Sequence, residues 1–167
     1  MVFVLALALM VANWIPGTID NTLMREYRGI DEVSEKLRMS KVYVPSYFPE
    51  TVSWPPSKVL AQANPYEALV MEFSDTDSRE PLLVLSQSVS EAFMPFERLK
   101  MELILERSVH EFKDRSAALS VGTCTGGGRC SMISWHEDAY HIKVIMRGDP
   151  FELIAMAESM VSGSLTP

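Results

Sequence analysis

Residues that carry chemistry are scarce in this chain. Two cysteines and three histidines occur among 167 residues, so a metal cage or a thiol cluster has few ligands to draw on. His110 has no second histidine four residues away, which removes the His-Glu-x-x-His zinc arrangement. There is no dinucleotide fingerprint, and no Gly-Lys-Ser/Thr follows the glycines near residue 126, so no loop is built to cradle phosphates. Lys and Arg never cluster beyond a few residues, and the net charge is −7. That balance excludes nucleic acid as a partner, because such binding rests on neutralising phosphates with basic side chains. Internal repeats and low-complexity stretches are missing too.

Apolar residues, by contrast, are abundant. They make up 47% of the chain, enough for a core, and the length fits one domain plus an N-terminal segment. The first charged residue is Asp20; residues 1–12 are unbroken apolar sequence, followed by Asn13, Trp14 and Ile15. A bilayer span needs ~20 residues, so the run is closer to the apolar region of a signal peptide. No Lys or Arg precedes it, and Met10-Val11-Ala12 fits a small-residue cleavage site only at its last position; a start upstream that carries the basic region accounts for both. Trp14 suits a membrane interface. A buried N-terminal helix is the alternative, disfavoured because a run without a polar face is hard to bury in a small domain. The expectation is a signal peptide or membrane anchor over residues 1–16, a tether over 17–30, and an α+β domain over 31–163 held outside the cytoplasm, anchored or exported.

Within the body, residues 18–28 read as a polar helix broken by Gly29, and Asp31 as the cap of a short helix to Arg38, with Val33 and Leu37 on one face. Val42-Tyr43-Val44 reads as a strand. Four prolines (Pro45, Pro49, Pro55, Pro56) with Tyr47, Phe48, Val52 and Trp54 between them predict an extended loop packed on the body through its aromatics. Leu69, Met71 and Phe73 alternate as a strand. Leu82-Leu83-Val84-Leu85 is apolar on both faces, as a covered central strand is, with residues 86–95 as a turn. Residues 96–112 fit a short helix or an extended lead-in before a strand near 108–112. Ala117, Leu119 and Val121 alternate again, and residues 130–148 read as a hairpin in which Tyr140, Ile142, Val144 and Met146 form the apolar face. Asp149-Pro150-Phe151-Glu152 supplies cap, first-turn proline and capping-box glutamate for a closing helix to Met160, with Gly163 as its C-cap. The sum is an α+β fold: a curved antiparallel sheet of about five to seven strands, a C-terminal helix across one face, and an N-terminal apolar helix before it.

Cys124-Thr125-Gly126-Gly127-Gly128-Arg129-Cys130 joins two of these strands. The glycines allow a tight reversal that brings the cysteines into disulfide range, and an exported protein with an even cysteine count favours that bond over two free thiols. Gly122-Thr123-Cys124-Thr125-Gly126 has the outline of a nucleophile elbow, yet no helix follows the turn as that device requires. Cys124, Cys130, His136 and His141 are zinc-type ligands without zinc-type spacing, and His141 shares an outward face with Lys143. No catalytic residue, metal ligand or cofactor is therefore assigned. The eleven methionines, several on apolar faces, are compatible with an adaptable cleft, and Leu83, Leu85, Met132 and Met146 are its candidate lining.

Three stretches resemble a known family. Pro45-Ser46-Tyr47-Phe48-Pro49, Trp135-His136-Glu137 leading to Tyr140-His141-Ile142, and Ile154-Ala155-Met156-Ala157-Glu158-Ser159-Met160 look like the entry, hairpin and closing helix of a bacterial extracytoplasmic domain of unknown function. That domain occurs in anti-sigma-type membrane regulators and in small exported proteins. It is similar in topology to the lipoprotein-carrier fold of LolA and RseB type. The resemblance covers roughly residues 31–163. No sigma-binding segment accompanies the apolar run here, so an anti-sigma role is not expected. The resemblance implies an exported or anchored sensing, binding or accessory domain. With Leu82-Leu83-Val84-Leu85 apolar on both faces and no catalytic constellation, the expectation is a non-enzymatic binding or sensing domain for a lipid, a hydrophobic ligand or an envelope protein partner, attached to the membrane through its N-terminal segment. A structural module without a ligand is the alternative, and a Cys124-dependent enzyme the last.

Overall fold

Alternating apolar residues are laid side by side across a broad sheet. The computed structural model describes residues 24–39, 41–93, 98–112, 114–160 and 164–165; the anchor or leader at residues 1–16 and the cap at Gly163 lie outside them. In chain order the elements are β1 (Arg25–Tyr27), α1 (Ile30–Leu37), β2 (Val42–Tyr43), β3 (Lys58–Gln62), β4 (Ala68–Ser74), β5 (Pro81–Ser88), β6 (Met101–Phe112), β7 (Arg115–Cys124), β8 (Arg129–Glu137), β9 (Tyr140–Arg147), α2 (Pro150–Met160) and β10 (Ser164–Leu165). Eight strands make one antiparallel sheet in the order β1-β3-β4-β5-β9-β8-β7-β6, and β2 pairs separately with β10. The fold is α+β with a large antiparallel sheet and a C-terminal helix.

Register sorts the side chains. Val59, Met71, Leu85, Val144, Ile133 and Leu119 are successive partners across six strands, and all six belong to one buried cluster. One residue along, the row Glu72, Val84, Ile145, Met132 and Ser120 projects to the other face, as the period of two demands. On the first face α2 rests on β8 and β9 with Leu153, Met156, Ala157 and Met160 buried, and α1 packs against β1 and β3 with Val33 buried. On the second face a smaller cluster gathers Val70, Val84, Ile145, Phe93 and Leu99. β5 therefore carries apolar cover on both faces.

Several sequence expectations are corrected. The polar helix expected over 18–28 does not reach its end, since Arg25–Tyr27 is a strand that pairs with residues 59–61 of β3. Gly29, with extended backbone and no side-chain cap, precedes α1, and Asp31 lies inside its first turn. β5 continues to Ser88, where a turn was expected. Its polar end is used: fully buried Gln87 accepts from the Tyr43 amide at 2.9 Å and donates to the Lys41 carbonyl at 2.8 Å, so one side chain stands in for a strand neighbour of β2. β6 is a single 12-residue strand that includes the expected 108–112; of the two readings for its lead-in, the extended one holds for residues 101–107 and the short helix does not. Register shifts between Met101/Leu103 and Ile104/Glu106 break its period of two and mimic helical spacing. With β1, β3 and the full β6, the sheet reaches eight strands instead of five to seven.

Candidate functional site

The cysteines are placed first by the hairpin between β7 and β8. Cys130 stands opposite Gly122, so Cys124, two residues further along β7, is its diagonal neighbour on the same face. Both are fully buried on the face away from α2, are joined as a disulfide, and have Cα atoms 5.0 Å apart. Gly126, Gly127 and Gly128 all take positive φ in the turn, a backbone that side chains oppose. Arg147 anchors this turn by donating to the Thr125 and Gly127 carbonyls at 2.8 and 2.9 Å. Bonded in this way, Cys124 presents no thiol for the nucleophile-elbow reading.

The four residues nominated for an apolar groove do not share a surface. Leu83, Leu85 and Met146 are at most 1% exposed in the core under the helices. Met132 opposes Ile145 and sits with the second cluster. A residue list chosen for apolarity alone mixed the two faces, because hairpin register was needed to separate them.

His136 and His141 face each other across β8 and β9 on that second face, with ring centroids 5.1 Å apart, and His136 Nε2 lies 3.0 Å from Glu91 Oε1. Burial first, then the neighbouring His136 charge, holds His141 below its ordinary value of 6.5. His110 instead meets Glu158 of α2 at 3.4 Å. Among the described residues no group of three or more His, Cys, Asp or Glu is arranged to hold a metal ion.

The Trp-His-Glu hairpin is a frame. Trp135 is buried against Phe112 edge-to-face at 5.6 Å, and Glu137, 6% exposed, is gripped by Arg115 through two guanidinium bonds. Asp138 accepts from Lys41 Nζ at 2.5 Å and from the Tyr43 hydroxyl at 2.6 Å. Its carboxyl is held below the ordinary range mainly by these two bonds, while burial and the bond to Asp138 push the Tyr43 phenol up. Tyr140 donates to Glu67 and packs edge-on to Tyr43 at 5.9 Å. Together these contacts tie β2 to the β8–β9 turn. Likewise the proline-rich loop is held down: Ser46 and Tyr47 bond to Ser159 at the end of α2, and Phe48 packs on Trp54 and Phe73 at 5.4 and 5.2 Å.

These two fixed walls leave a trough beside α1. One hollow of about 410 Å³ is lined by Ile30, Asp31, Ser34, Glu35, Met39, Lys41, Val42 and Val44. A second, of about 260 Å³, is lined by Arg28, Gly29, Ile30, Asp31, Val44, Trp54, Pro55 and Pro56. They share Ile30, Asp31 and Val44, so they adjoin, and the pair is called the groove. Its floor is apolar (Ile30, Met39, Val42, Val44), its lip charged with both signs (Asp31, Glu35, Lys41), and 56% exposed Trp54 stands with Arg28 at one end.

No protein family, no curated protein and no solved structure matches the chain.

The groove was not visible in the sequence as a site. The available signal was Ile30, which extends by one turn the apolar stripe of Val33 and Leu37 and leaves an apolar residue half-buried at the start of α1. What the sequence could not supply was the return of Val42–Val44 alongside it.

Proposed function

We propose that this chain is a non-enzymatic binding domain of the cell envelope that takes an extended apolar ligand, of the lipid acyl-chain class, in the groove beside α1. The observation that carries this reading is the pair of adjoining hollows, about 410 and 260 Å³, with apolar floor and charged lip. Sites for small apolar molecules have this size and this mixture of apolar wall and few polar groups. Arg28 at the Trp54 end offers a cation to a carboxylate or phosphate headgroup. Beneath the helices Leu83, Leu85 and Met146 are sealed; a separate hollow of about 310 Å³ between β1, β3 and Leu37 has a more polar lining that includes Arg25, Gln62 and Asn64.

The envelope placement is supported by the apolar run before Asp20 and by a disulfide, which persists in oxidising compartments. No described helix is long and apolar enough to cross a membrane, so attachment rests on residues 1–16. The motif likeness to the extracytoplasmic domain family points the same way.

A fluorescent long-chain fatty acid titrated against the full chain tests the groove. Ser34 lines it and is not a core residue, so Ser34→Trp fills the space without emptying the interior. The variant is expected to keep the thermal midpoint and weaken probe binding at least about tenfold, a loss of ~1.4 kcal/mol. Undiminished binding in the variant, or no binding in the parent, contradicts the proposal.

A further inference from the structure

Among the described residues β6 closes the sheet at one end and pairs with β7 alone. Open edges invite another strand, and proteins blunt them with bulges and charges. The first half of β6 is blunted in this way, because the two register shifts leave Glu102 and Leu105 as extra residues and bend the strand. The second half is not. From Glu106 opposite Val121 to Phe112 opposite Arg115, the register runs without a shift. Arg107, Val109 and Glu111 alternate onto one face of this regular stretch, the face away from α2. Val109 is 68% exposed, Arg107 and Glu111 are exposed, and neither of these two charges has an ion pair among the described residues.

This order of side chains complements itself. An antiparallel strand of the same sequence centred on Val109 sets valine against valine and places each Arg107 directly opposite the other copy's Glu111. Directly opposed residues of an antiparallel ladder lie on the same face, and opposite charges there attract. Centring on Arg107 would oppose two guanidinium groups, and centring on Ser108 would leave both arginines facing valine. We propose that a second copy of this chain docks antiparallel on β6, centred on Val109, so that the sheet continues across a two-fold axis.

Sedimentation of the full chain in a mild non-ionic detergent tests this, with Arg107→Glu, Glu111→Arg and the double exchange. The wild type should sediment at twice the monomer mass. Each single variant sets like charges opposite one another and should fall to the monomer. The double exchange restores two opposite-charge pairs and should return to the dimer. Mixing the two single variants should give a heterodimer, since one copy then carries only acids and the other only bases at these positions. A wild type that stays monomeric at high protein concentration, single variants that dimerise like the wild type, or a mixture and double exchange that remain monomeric would each overturn the proposal.

Discussion

Gly122 lacks a side chain because another backbone occupies that space. A Cβ there would lie 1.8 Å from the Leu103 carbonyl oxygen, where the first bulge of β6 crosses close to β7. The obstacle is main chain and cannot rotate aside. Gly122→Ala is expected to destabilise the protein by about 3 kcal/mol, read from the urea midpoint; a loss well under about 1 kcal/mol would mean that β6 does not approach β7 in this way. His141 gives a second test at this scale. His136, Glu91 and Lys143 surround it, and its folded form favours the neutral ring. A lowered folded pKa contributes stability that is present above the ordinary 6.5 and is lost as pH falls through the lowered value. Between about pH 7.5 and about 5 the thermal midpoint should therefore fall further in the wild type than in His141→Gln. Equal falls would remove His141 from the pH response.

At the scale of elements, legibility followed regular periodicity. The closing helix and the hairpin from Cys130 to Arg147 were readable because Tyr140, Ile142, Val144 and Met146 alternate cleanly and Pro150 marks the helix start. Of β6 only the regular end over 108–112 was readable as strand, since Glu102 and Leu105 interrupt the alternation before it and leave Leu99, Leu103 and Ile104 at helical spacing. The polar end of β5 was lost for another reason: Ser86, Gln87 and Ser88 are buried because their partners come from β2 and β9, which no local window contains. The glycine hairpin carries its own expectation. The seven residues from Cys124 to Cys130 close a small ring, so loop entropy assigns the disulfide only ~2 kcal/mol. Reduction should lower the melting temperature and leave the sheet's far-ultraviolet circular dichroism in place. Unfolding on reduction, or no shift at all, would contradict that assignment.

For the whole molecule, function was less legible than fold. The residue types that announce chemistry are few, and the structure spends them on architecture: Cys124 and Cys130 on a staple, Glu137 on Arg115, His110 on Glu158. The nominated groove residues Leu83, Leu85, Met132 and Met146 fell on two faces of the sheet, and the proposed groove arises where α1, β2 and the proline-rich loop converge. Such a space depends on three separate segments meeting, which apolar patterning within each of them does not encode. The most direct measurement is photo-crosslinking of the full chain with a diazirine-bearing fatty acid, followed by mass spectrometry of the labelled peptides. A ligand seated as proposed labels peptides that carry Ile30, Met39, Val44 and Trp54, and the label is lost from them in Ser34→Trp. Label confined to β6 or to the face bearing His136 and His141, or spread without preference over the surface, would contradict it.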